Sequence, residues 1–303
     1  MSGPPRSSTS ILLPLLAAAS GIALFSVMDG FMKTLSIGLG AYNAMLWRTT
    51  TGSVIGAVAY GVQRGARPGR AAMRMHIWRG AIVMVMAVCF FWGIARVPLA
   101  EGIALSFIAP LVALYLAAVL LKEKIGGAVV AASLLGLAGV GVILAGKLGG
   151  DYAPDAPYGV AAILLSALFY AYNLILQRQQ ALMAGPTEIA LFQNLSIAGM
   201  LLIVAPWFGM MPTKALWPVV FASAALAFVS QMLLSWAYAR AEAQRLIAVE
   251  YTAFIWAAIV GYLAFDEALT PAMIGGTILI VAGCLIAARA KPKPIAHIEE
   301  TAI

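Results

Sequence analysis

Charge is scarce in this chain: Asp, Glu, Lys and Arg make up 10% of its 303 residues, while 63% are hydrophobic. A soluble domain of ordinary composition carries about 25% charged residues, so a soluble globular protein is excluded. Cysteine and histidine are nearly missing as well. Cys89, Cys284, His76 and His297 lie in four different segments, a scatter that excludes a clustered metal site or a disulfide framework and leaves no cofactor to expect. Intramembrane catalysis needs a nucleophile with its base, or a metal cluster, held in the bilayer. With His76 at a segment boundary, His297 in the C-terminal tail and no paired aspartates, the sequence offers no such set, and an enzyme is not expected.

Long apolar stretches, by contrast, run through the whole chain. Ten candidate helices are read at 11–36, 41–62, 77–95, 98–120, 125–146, 157–177, 187–208, 217–238, 246–265 and 272–289. Ten spans of about 20 residues use roughly 200 positions, which leaves only tails and short connections and no room for a large extramembrane domain. The first run resembles a signal peptide in having Arg6 before it and Ala17-Ala18-Ala19-Ser20 within it, but its apolar character continues to Met28. It reads as an uncleaved first helix. The net charge of +7 would suggest nucleic acid in a soluble domain; in a membrane protein it reports topology, and no nucleic-acid partner is expected. With the N-terminus inside, Lys and Arg divide 14 to 4 between inner and outer segments, which puts both termini in the cytoplasm.

An internal repeat is the most informative feature. A gapless shift of 144 positions lays Trp92-x-x-Ala95-Arg96 on Trp236-x-x-Ala239-Arg240, Glu123 on Glu267, Ala138-Gly139 on Ala282-Gly283 and Lys147 on Lys291. Residues 92–147 and 236–291 share 13 identities in 56 positions, and the same shift lays Leu24-Phe25 on Leu168-Phe169. The duplication therefore covers five helices per half, residues 1–150 and 151–290, with 291–303 as a disordered cytoplasmic tail of alternating Lys and Pro. Five is odd, so the halves take opposite orientations. The expected fold is an all-α integral membrane protein of ten transmembrane helices in two inverted repeats, a ground plan of secondary transporters.

With this helix count, this duplication and a Glu ending the fourth helix of each half (Glu123 in Leu-Lys-Glu-Lys, Glu267 in Phe-Asp-Glu-Ala) ahead of a Gly-rich helix, the chain resembles the drug/metabolite transporter superfamily. It is most similar to its ten-helix EamA-type exporters, and among those to bacterial exporters of aromatic amino acids. The resemblance implies a multi-pass protein of the bacterial inner membrane, with a central cavity lined by the first, third, fourth, sixth, eighth and ninth helices. It also implies that the fifth and tenth helices pack at the periphery.

Several residues have a structural and a functional reading. Glu123 and Glu267 sit where a carboxylate caps the following helix. Trp92 with Arg96 and Trp236 with Arg240 anchor helix ends at the interface. The spacings Gly52-x-x-x-Gly56 and Ala128-x-x-x-Ala132-x-x-x-Gly136, with Gly139, permit close helix approach. Charges inside spans must face protein or water, because each costs about 2.5–3.5 kcal/mol at a helix centre. Asp29 and Arg48 lie at similar depth as a structural pair or a charge-coupling site; Glu101 begins the fourth helix near the surface; Glu250 suits a gate or a salt bridge to Arg245 or Arg79. At mid-depth, Ser106, Asn173, Ser230 and Gln231 are expected to hold a polar head group. Phe107, Pro110, Phe169, Tyr170, Tyr251 and Trp256 are expected to line the apolar part, Pro110 with a freed carbonyl.

The function these residues suggest is export of amino acids, aromatic or large neutral ones, by alternating access, from a monomer or homodimer in the lipid bilayer. The alternative is a multidrug or cationic-metabolite exporter working through Asp29. A gated channel would share the same repeat.

Overall fold

The computed structural model describes residues 9–109, 112, 127–146, 154–241, 246 and 249–289. Among them are ten α-helices and no strand: α1 (Thr9–Leu39), α2 (Ala41–Val62), α3 (Arg70–Ile94), α4 (Leu99–Ser106), α5 (Gly127–Ala145), α6 (Ala156–Met183), α7 (Pro186–Phe208), α8 (Trp217–Arg240), α9 (Ala253–Phe265) and α10 (Pro271–Arg289). Pro98, Pro186 and Pro271 begin or immediately precede three of them, where a missing N–H is no loss. The link between α1 and α2 is the single residue Gly40 at φ 78°, a backbone conformation that a side chain would strain.

Helix number and order follow the apolar runs, but several ends differ from expectation. α3 starts at Arg70 rather than at 77, because Arg70 and Arg74 are compatible with a helix that extends past the apolar core, their long stems carrying the charge outward. α6 continues past 177 to Met183, its polar last turns being held by α3 and α8 through Gln177, Arg178 and Gln180. α4 gives way to a turn at Phe107-Ile108, and α9 starts only after a turn at Tyr251-Thr252. The shift of 144 lays 107 on 251, so the two halves interrupt their fourth helix at equivalent residues. Pro110, Glu123, Arg245 and the tail 291–303 lie outside the described residues.

Packing repeats the duplication. α1 packs on α8 as α6 packs on α3, α2 on α8 as α7 on α3, and α1 on α9 as α6 on α4; α2–α7, α4–α9 and α5–α10 join each helix to its own counterpart. Glycines set the closest crossings. A Cβ on Gly52 would sit 2.9 Å from the Asn194 amide oxygen, and one on Gly56 3.0 Å from the Leu191 backbone. A Cβ on Gly139 would sit 2.5 Å from the Gly276 carbonyl where α5 meets α10. Small residues at such crossings allow the backbone approach that drives association in lipid, where apolar burial between helices contributes little.

Five helices, α1, α3, α6, α7 and α8, are individually long and apolar enough to cross a bilayer. α2 has 22 residues but carries Arg48, Thr49, Thr51 and Ser53, all buried against neighbouring helices. Large apolar side chains face outward instead, among them Val58, Ile203, Trp207 and Leu263, as a hydrocarbon solvent requires. The end of the bundle where α1 finishes, with connections 95–98, 209–216 and 266–270, is called distal below, and the opposite end proximal.

Candidate functional site

A cavity of about 240 Å³ lies at the centre of the bundle. Its wall is apolar on most sides, with Phe25, Phe90, Phe91 and Phe107 contributing rings, and carries four ionisable residues besides tyrosines: Asp29, Arg48, Arg79 and Glu250. Two acids and two bases leave no formal net charge. Of the residues expected to line a cavity, Ser106, Phe107, Tyr170, Asn173, Gln231 and Tyr251 do so, together with Asp29, Arg48 and Glu250. The rings of Phe107 and Tyr251 meet edge to face at 5.1 Å and 90°, so the two helix interruptions touch at the middle of the molecule. Edge-to-face contact of this kind is worth about 0.5–1.5 kcal/mol beyond area burial.

Three expected lining residues are elsewhere. Trp256 is 40% exposed on the surface of the bundle; α9 is apolar on every side, so its sequence carries no periodicity to tell a lipid face from a cavity face. Ser230 is fully buried in the α1–α8 crossing, its carbonyl 3.3 Å from where a Cβ on Gly21 would be. Phe169 is half-buried and outside the cavity wall. Conversely, α2 and α7 contribute Arg48, Gln193, Asn194 and Ile197, although the resemblance implied only the other six helices. α5 and α10 stay away from the cavity and pack on each other.

The proximal side is organised by Arg79, which lies near the start of the third apolar run and on the inner side of the charge division. It is 1% exposed, and its guanidinium donates to Asn173 Oδ1 at 2.8 Å, to Gln177 Oε1 at 3.0 Å and to Gln180 Oε1. Gln180 also meets His76 Nδ1 at 2.7 Å, and His76 Nε2 lies 3.0 Å from Glu188. His76 is therefore not a boundary residue but fully buried, stacked on Phe192 at 5.3 Å. Nor does Arg79 pair with Glu250. The Glu250 carboxylate accepts from the Tyr170 hydroxyl at 2.7 Å and from the Tyr238 hydroxyl at 2.5 Å.

The distal side is held by opposite charges. Lys33 pairs with Glu267 and donates to the Val97 carbonyl at 2.7 Å, and the second Glu267 oxygen accepts from the Leu99 backbone N–H at 2.7 Å. Glu267 thus caps α4 across the bundle rather than the helix that follows it; α10 is capped by Thr270, whose hydroxyl accepts from Met273 N at 3.2 Å. Glu101 is fully buried near Lys33, not solvated at the surface. The two Trp–Arg pairs keep their repeat symmetry. Arg96 lies 3.5 Å from the centre of the Trp92 ring and Arg240 4.2 Å from that of Trp236, each also donating to its tryptophan's carbonyl.

Asp29 and Arg48 share the cavity closely enough for their charges to interact, but they make no direct salt bridge. Arg48 has a buried Nε without a hydrogen-bond partner, and a terminal nitrogen 3.5 Å from the Met45 sulfur as its one hydrogen bond. Gln193, also in the cavity wall, has a buried side-chain oxygen that is likewise unpartnered. An unmet buried donor or acceptor costs about 1–3 kcal/mol, and both of these belong to residues that line the cavity.

A family model described as the EamA-like transporter family matches residues 10–145 and again 157–289. The pseudopaline exporter CntI of Pseudomonas aeruginosa, from strains UCBPP-PA14 and PAO1, is 27% identical over 285 residues, covering 93% of this chain and 97% of that protein. A solved crystal structure of another protein, 22% identical, superposes with a TM-score of 0.63 over 93% of this chain and 97% of its own.

Proposed function

The chain belongs to the EamA-like transporter family, and from that premise we propose that it exports small amphoteric metabolites, amino acids and their derivatives with a sizeable apolar part. It is a multi-pass membrane transporter by family. In the reading proposed here it sits in a bacterial inner membrane with both termini and the proximal end in the cytoplasm, and its halves are inverted about an axis in the membrane plane. Rocking of the halves then exposes one central cavity to either side.

The observation that carries the substrate class is a cavity wall with both signs of charge, Asp29 and Glu250 with Arg48 and Arg79, that also holds an unmet Arg48 Nε donor and an unmet Gln193 oxygen acceptor. A carboxylate pairs with Arg48, and an ammonium pairs with the acidic groups of the same wall, Asp29 and Glu250. The rings of Phe107, Tyr251, Phe90 and Phe91 receive the apolar remainder. A permanent cation bound at Asp29 would have to tolerate Arg48 alongside it, which weighs against the cationic-drug reading. The export direction accords with likeness to a pseudopaline exporter.

Uptake of radiolabelled phenylalanine into proteoliposomes holding the purified full-length protein tests the reading, with competition by unlabelled amino acids and by a quaternary ammonium dye. Saturable uptake, accelerated by unlabelled amino acid inside, is expected of a carrier and not of a channel. Dye transport that depends on Asp29, with no amino-acid flux, overturns it.

A further inference from the structure

Glu250 stands apart from the other charges of the cavity. Asp29 has Arg48 close by, and Arg79 has three amide oxygens, while both oxygens of Glu250 are held only by the neutral hydroxyls of Tyr170 and Tyr238. Among the described residues no ion pair reaches it. Tyr170 on α6 and Tyr238 on α8 bind it, and the other titratable groups of the same cavity wall are Asp29 on α1, Arg48 on α2, Arg79 on α3 and its neighbour Tyr251. A carboxylate inside a membrane bundle without a fixed counter-ion needs a mobile one. Two mobile cations can enter this cavity: the ammonium of a substrate and a proton.

We propose that Glu250 is a proton-binding site at which proton and substrate ammonium compete, making the protein a proton/substrate antiporter; this rests on the amphoteric-substrate reading only for the second competitor. With the cavity open outward, the carboxylate takes a proton from the outer solution and the previous substrate leaves. With the cavity open inward, the arriving ammonium displaces that proton to the cytoplasm, so one proton enters for each substrate exported. Geometry supplies the coupling. Glu250 immediately precedes the turn at Tyr251-Thr252, and its two phenols belong to α6 and α8. An ionised carboxylate accepts from both phenols; a protonated one donates through its O–H, so one phenol switches from donor to acceptor and its own O–H must find another partner. Proton occupancy therefore loosens or tightens three segments at the helix interruption, where the halves move.

Two measurements on the full-length protein test this. Infrared pH-difference spectra in nanodiscs, without substrate, are expected to show a carboxylic C=O band that titrates in wild type and is lost in Glu250→Gln; an unchanged set of titrating bands in the variant overturns the site. In proteoliposomes, a pH gradient is expected to raise wild-type phenylalanine accumulation at least fivefold and Glu250→Gln accumulation not at all, whatever its absolute rate. Accumulation in the variant that still responds to the gradient overturns the coupling. Should Glu250→Gln misfold, Tyr170→Phe and Tyr238→Phe are expected to shift the pH at which coupling is half-maximal, and an unshifted profile in both overturns it. Absence of wild-type phenylalanine flux sinks the proposed function, and the infrared titration still decides the proton site.

Discussion

The two ends of the bundle are built on equivalent positions with different chemistry. Asp29 and Lys33 in the first half correspond, through the shift of 144, to Asn173 and Gln177 in the second. At the distal end the charged set locks α1 to the end of α9 and the start of α4 through Lys33, Glu267, Val97 and Leu99. At the proximal end the amides hold the borrowed cation Arg79 and, through Gln180, the buried His76 with Glu188. A near-symmetric scaffold therefore closes one side with an ion pair and the other with a guanidinium–amide network. The ion pair fails when one partner is lost, because a buried charge is stranded. The network fails by degrees, one acceptor at a time.

The largest expected effect follows from removing the centre of the proximal network. Arg79→Leu strands the Asn173, Gln177 and Gln180 oxygens together and should destabilise the protein by about 3 kcal/mol or more, read as a fall in melting temperature in detergent. A loss below about 1 kcal/mol would mean that the amides re-pair among themselves and that the proximal end has no single keystone. Next comes Lys33→Met, which strands Glu267 beside Glu101 and should cost roughly 2–4 kcal/mol. It should also open the distal end, measured as faster labelling of a Ser26→Cys cavity probe by an impermeant maleimide from outside. Lys33→Met with Glu267→Gln should restore part of the stability; if the double variant is worse than the single, the ion pair is not what closes this end.

Arg48→Gln tests the substrate side of the comparison without touching either lock. Loss of one charge-assisted contact of about 1.5–3 kcal/mol predicts a KM for phenylalanine raised roughly ten- to hundredfold. An unchanged KM would remove Arg48 from substrate recognition.

Much of the scaffold was legible in the chain and little of the wiring. Ten apolar runs and a repeat of fixed offset are local or periodic signals, and the order of helices, the Gly52–Gly56 crossing and the equivalence of the two Trp–Arg pairs follow from them. The contacts that close each end join residues far apart in sequence: Leu99 to Glu267, 168 positions apart, and Arg79 to Gln180, 101 apart. No spacing rule reaches that far. Arg79 also misleads for a physical reason, since an arginine near a helix end reads as a loop charge under the same positive-inside logic that orients the bundle. Trp256 fails differently: on a helix apolar all round, the side facing lipid and the side facing the cavity have the same composition.

The smallest expected effect comes from restoring the missing charge in the second half. Asn173→Asp puts a carboxylate where an amide oxygen now accepts from the Arg79 Nε at 2.8 Å, copying Asp29 into its equivalent position. A charge-assisted bond is about twice as strong as a neutral one, but desolvating the new charge takes back much of the gain. A net stabilisation of about 1 kcal/mol is expected on these terms, with transport slowed roughly fivefold because the proximal end must break this bond each cycle. Cavity labelling from outside should rise as the outward-open state gains population. If the variant instead transports faster, the Arg79 network does not gate the proximal end and the likeness between the two closures is one of position only.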